Sequence, residues 1–94
     1  QLMKNFEWNE KKNQWLQENR GISFEEIVYF IEHDGLLKNI EHPNKKLYPH
    51  QRMFVVRTDD YIFLVPYVEE QEYYFLKTII PSRKAKRQYG MEEK

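Results

Sequence analysis

The chain has 94 residues, 40% of them hydrophobic and 16% aromatic, with 15 basic and 15 acidic side chains and no cysteine. That length suits one small core and a single domain over 1–94, and the lack of cysteine excludes disulfides and thiolate metal sites. No apolar run approaches the roughly 18–20 residues that span a bilayer, and the mixed, charged start lacks the apolar stretch of a secretory leader. A cytoplasmic protein with no membrane association is therefore expected.

Taken in order, Asn9 is placed to cap a first helix that holds Trp15 and Leu16 on its buried side. Arg20-Gly21 ends it, because glycine readily takes the left-handed conformation past a helix C-terminus. Ser23-Phe24-Glu25-Glu26 is a capping box, and Phe24, Ile27, Val28 and Ile31 follow as one apolar helical stripe. His33-Asp34-Gly35 closes this second helix. The period then changes toward two. Short strands are expected over 36–40, 52–57, 61–67 and 73–80, with a loop at 42–49, a tight turn at Asp59-Asp60 and an acidic turn at 69–72. Pro81-Ser82 stops the last strand and caps a short helix over 83–89, after which 90–94 is expected to fray. The fold class is α+β: two N-terminal helices, an antiparallel sheet of about four strands and a short C-terminal helix.

Both faces of the sheet read as apolar. Ile62 and Leu64 share one; Tyr61, Phe63, Val65 and Tyr67 share the other. Either helices cover both, or a partner covers one.

Charge is distributed in blocks. Residues 1–34 carry 4 basic and 7 acidic side chains, and 35–57 carry 5 and 1. Residues 58–76 carry none and 5, and 77–94 carry 6 and 2. A cationic patch forms on this neutral protein if the fold joins the two basic blocks. In the second of them, Arg83, Lys84, Lys86 and Arg87 follow the cap Ser82, at the end of a helix where the dipole disfavours cations. An anion docked there would compensate them; a solvated, fraying turn would hardly be penalised. In the first, His42, Lys45, Lys46, His50 and Arg52 are either a solvated loop or phosphate contacts with a histidine ready for proton transfer. Tyr67 and Lys77 lie in neighbouring strands and meet on one face if the hairpin is regular, as a proton-transfer pair or as cross-strand packing. The three histidines match no metal-ligand spacing, and there is no Gly-rich phosphate loop or nucleophile elbow. No metal or other cofactor is expected.

Several segments resemble one family. The run Phe6-Glu7-Trp8-Asn9-Glu10-Lys11-Lys12-Asn13 is similar to the opening of BrnT-type toxins. Arg20-Gly21-Ile22-Ser23-Phe24-Glu25-Glu26 resembles their H-G-V-S-F-E-E segment, and Gln51-Arg52 with Met53 to Val56 resembles their E-R-F-I-A-I strand. Val65-Pro66-Tyr67 falls where they have V-V-Y, and Ser82-Arg83-Lys84-Ala85 resembles their closing S-A-R-K-A. The chain departs from the pattern at Thr78, where the family often has arginine, and in the 42–49 loop. The resemblance implies a RelE-like fold and metal-independent endoribonuclease activity that inhibits translation. It also implies neutralisation by a cognate antitoxin, usually a ribbon-helix-helix DNA-binding protein. By the same analogy the RNA 2′-hydroxyl attacks the adjacent phosphate. Arg52, Tyr67, Lys77 and Arg83 are then the catalytic candidates. His42, Lys45, Lys46, His50, Lys84, Lys86 and Arg87 are candidates for holding RNA. Two other readings compete: a non-catalytic module binding RNA or protein, and a structural protein dimerising through Tyr61, Phe63 and Val65.

Overall fold

The computed structural model describes residues 3–90, so the tail expected to fray lies outside the described residues apart from Gly90. Strand β1 (Asn5–Trp8) leads into helices α1 (Glu10–Arg20) and α2 (Phe24–Phe30), and a π-type turn (Ile31–Gly35) follows. Strands β2 (Leu36–Glu41), β3 (Gln51–Arg57), β4 (Ile62–Glu69), β5 (Tyr73–Leu76) and β6 (Ile80–Pro81) come next, and helix α3 (Arg83–Gln88) ends the fold. The class is α+β, with two N-terminal helices against a sheet and one short helix after it.

Local chemistry explains the helices. The Asn9 side chain accepts a hydrogen bond from the Lys12 amide, and Gly21 ends α1 at φ 67°. Ser23 and Glu26 form the complete capping box at the start of α2. Such caps contribute roughly 1 kcal/mol each. Buried Asn13 ties the two helices together: its Oδ1 accepts from the Phe24 amide and its Nδ2 donates to Glu25, both at 2.7 Å. Trp15, expected inside, is 43% exposed. Asn13 and Leu16 take the buried side of α1, while the Trp15 ring lies against the cations of Lys12 and Arg20, 4.5 and 5.2 Å from its centre.

The sheet runs β1-β5-β4-β3-β2, with β6 also on β4. It is mixed, with six strands instead of about four, because β1 pairs parallel with β5. β1 has a period-two pattern: Phe6 packs against Phe54 and Tyr74, and Trp8 stacks on Phe24. The strand expected over 73–80 is broken. Tyr67 pairs with Leu76 but Leu64 pairs with Ile80, a shift of one residue. The break falls beside Pro66, whose carbonyl accepts from the Lys77 amide but which has no N–H to return.

Both sheet faces are apolar, and helices of this chain cover each of them in part. On the α1–α2 face, Phe54, Val56, Phe63, Val65, Tyr67 and Leu76 join Leu16, Phe24 and Ile27 in the main core. On the other face a smaller cluster of Val55 and Ile62 packs under Ala85 of α3. Phe63 and Val65 are buried here, so the competing reading of a dimer surface through Tyr61, Phe63 and Val65 lacks two of its three side chains. Among the described residues no helix is long and apolar enough to cross a membrane.

Candidate nucleic-acid interface

Strand register decides which candidates meet. Arg52 pairs with Tyr67 and with Glu41, which puts all three on the α1–α2 face. Arg52 is held by Asn39, donating from Nε to the side-chain oxygen and from Nη2 to the carbonyl, both at 3.1 Å. The Tyr67 hydroxyl donates to the same Asn39 oxygen at 2.8 Å. The Tyr67 ring is fully buried and stacks on Phe54 at 3.8 Å. Burial lifts the phenol above its ordinary range, against the opposing pull of Asn39 and Arg52. A phenol so held stays protonated at neutral pH and serves as a donor, not a base. Asn39, the hub of this cluster, was not among the sequence candidates.

This raised value has a stability consequence. A fold that favours the protonated phenol has that contribution in full below the ordinary phenol pKa, near ~10, and loses it as pH rises through the higher folded value. Denaturant midpoints measured at pH 8 and above pH ~10 should therefore fall more for the parent chain than for Tyr67→Phe. Equal losses in both proteins would contradict the buried-phenol account.

Lys77 does not meet Tyr67. Phe75 pairs with Val68 on the opposite face, and the Lys77 amine lies 5.2 Å from the Phe75 ring centre. The hairpin sets a register in which Leu76, not Lys77, stands opposite Tyr67, and strand alternation turns Lys77 to the other face. The loop candidates are also dispersed. Lys45 is paired with Glu41 at 2.8 Å, and that contact holds the Glu41 carboxyl below its usual range. The His42 ring lies 4.6 Å from Tyr48 while its Nδ1 accepts from the Asn44 amide; Lys46 and His50 are exposed.

The α3 cations stand on the other side of the sheet. Ser82 caps α3 through the Ala85 amide, and its own amide donates to the Ile62 carbonyl. This anchors α3 at the Ile62 end of β4, five residues or ~16 Å along the strand from Tyr67. The two basic blocks therefore do not form one patch around Arg52. The expected dipole penalty is also smaller than four misplaced cations would give. α3 has six residues, and Lys86 and Arg87 fall in its last turn, where the dipole favours them. Only Arg83 and Lys84 stand at the unfavourable end.

What the α3 face does have is a one-sided composition. By register it presents Lys38 and Ile40 of β2, Gln51, Met53, Val55 and Arg57 of β3, Ile62, Leu64, Pro66 and Val68 of β4, and Phe75 of β5. No Asp or Glu stands at any of these positions; the one acid that register places on this face is Glu7, opposite Phe75 on the edge strand β1. Lys38 and Lys84 flank a shallow depression of about 270 Å³ that also includes Ile40, Leu64, Gln88 and Tyr89. Arg83, Lys84 and Arg87 lie on this side, and the Lys86 amine lies 4.6 Å from the Tyr61 ring centre. The ion pairs among the described residues are Lys4 with Glu69 and Lys45 with Glu41, and neither uses a cation of this face. Lys38 was missed in the sequence; an alternating segment, Leu36 to Ile40, with a lysine in it was the available signal.

Among the described residues no three His, Asp or Glu side chains gather as metal ligands would. No protein-family model, curated protein or solved structure matches this chain.

Proposed function

We propose that this chain acts on RNA as the toxin of a toxin–antitoxin pair, holding the phosphodiester backbone against the α3 face. The observation that carries this reading is a stretch of sheet face across β2 to β5 without a carboxylate, with Lys38 and Lys84 beside half-exposed Leu64 and Tyr89 and with Glu7 only at the far edge, on β1. Cations without local counter-charges attract a polyanion, and aromatic or aliphatic surface between them takes up bases. Arg83 stands on the same side and could support charge developing on a phosphate under attack by the neighbouring 2′-hydroxyl. Tyr67, on the opposite face with its hydroxyl committed to Asn39, would have no part in the reaction. The resemblance adds a ribbon-helix-helix antitoxin, a cytoplasmic setting and cleavage without a metal.

A second reading, RNA binding without cleavage, is favoured by one specific fact. The expected Tyr67–Lys77 proton-transfer pair is not assembled, and the α3 face has no other base held in place by hydrogen bonds among the described residues.

One experiment separates the two. Labelled single-stranded RNA is incubated with the chain in EDTA, and both cleavage and retention are measured across a salt series. Cleavage abolished by Arg83→Ala, with the fold retained, supports the toxin; tight, salt-sensitive retention of intact RNA supports the binding module. In either case Lys38→Gln with Lys84→Gln should weaken RNA binding roughly tenfold and lower the salt slope by about two. Binding indifferent to that pair of changes would remove the α3 face from both readings.

A further inference from the structure

Between the α1–α2 turn and the β3–β4 turn lies an open groove of about 580 Å³. It shares no lining residue with the Lys38–Lys84 depression. Its walls are apolar: Ile22 and Phe63 are buried in them, while Phe30 and Tyr61 remain half-exposed. Its rim is acidic. Glu26, Asp59 and Asp60 border it against one cation, Arg20. That guanidinium is already engaged, donating to the Ile79 carbonyl and lying against the Trp15 ring. None of the three carboxylates is in an ion pair among the described residues.

These features select the occupant. An RNA strand would bring its phosphates against three carboxylates. A purely apolar segment would fill the walls and leave the rim unanswered. An arginine suits both, because its planar guanidinium stacks on an aromatic ring and donates in a fork to carboxylates. Tyr61 already accepts a cation in this way, with the Lys86 amine 4.6 Å from its ring centre.

We propose that this groove docks a basic, partly apolar segment of a partner protein, seating an arginine between Asp59, Asp60 and the Tyr61 ring. The proposal does not depend on any RNA activity, and its test involves none.

The test titrates the isotope-labelled full chain with the N-acetylated amide of arginine–leucine–arginine and follows backbone amide shifts. The expected result is movement confined to residues 20–22 and 58–61, weakening as salt rises. The double variant Asp59→Asn with Asp60→Asn should bind at least fivefold more weakly, while Lys84→Gln should bind as the parent does. The Asp60→Asn change keeps a side-chain oxygen for the Thr58 hydroxyl, which meets Asp60 at 3.5 Å, so the turn is preserved. Three results overturn the proposal. They are unmoved amides at those positions, equal binding by the double variant, and equal binding of the glutamate–leucine–glutamate amide. Two more do so by naming another occupant. Magnesium moving those amides where the peptide does not would mark a cation site. Self-association of the chain that the double variant abolishes would mark a second copy.

Discussion

Gly35→Ala is expected to destabilise the fold by about 3 kcal/mol or more, the upper range for forcing atoms into filled space. An added Cβ would stand 2.5 Å from the Phe30 carbonyl oxygen and 2.6 Å from that of Arg57. Both obstacles are backbone, so no side-chain rotation relieves them. Gly35 is buried where the π-type turn passes into β2, directly after Asp34 at φ 71°, and the chain there is pressed against the end of β3. Urea unfolding of the variant should show a much lower midpoint, with the slope kept if the native state stays compact. A stability within ~0.5 kcal/mol of the parent would mean that the turn has room the structure denies it.

The second large effect is Phe54→Ala, expected to cost about 3–5 kcal/mol, the range for removing a large buried aromatic. Phe54 is fully buried at the centre of an aromatic cluster, parallel to Tyr67 and edge-on to Phe6 and Tyr74. Its loss leaves a cavity shared by β1, β4 and β5. A more conservative probe, Phe54→Leu, should recover much of the loss by filling part of that space. The same variants should lower RNA binding only in proportion to the unfolded fraction, since Phe54 faces away from the α3 side. A loss of RNA affinity in fully folded Phe54→Leu would point to a site on the α1–α2 face instead.

Local chemistry made much of the fold legible. Asn9, Gly21 and the Ser23–Glu26 box mark helix ends because each is a side chain or conformation acting within four residues. β1 escaped because what fixes it is remote: four residues are a weak strand signal, and their partner, β5, lies more than sixty residues away. Trp15 escaped for a different reason. A large aromatic reads as buried, but flanking Lys12 and Arg20 offered its ring faces a cationic environment at the surface. For the site, residue type was readable and placement was not. A strand shows alternate residues to opposite faces, so a one-residue difference in the register of the 69–72 hairpin decides whether Lys77 stands with Tyr67 or with Phe75. Lys84 and Arg83 were legible as a charge run. Their neighbour across the depression, Lys38, belongs to the other basic block and joins them only because α3 folds back over β3 and β4.

The parallel pairing of β1 with β5 also sets an order of events in time. Lys4 reaches Glu70 across 66 residues of sequence, and β1 pairs with no strand nearer to it in the chain. Contacts of such separation close late, because the loop between them must first be organised. On the ribosome the first of these strands to emerge would be the last to find its place. It would wait, with Phe6 uncovered, until nearly the whole domain had been synthesised.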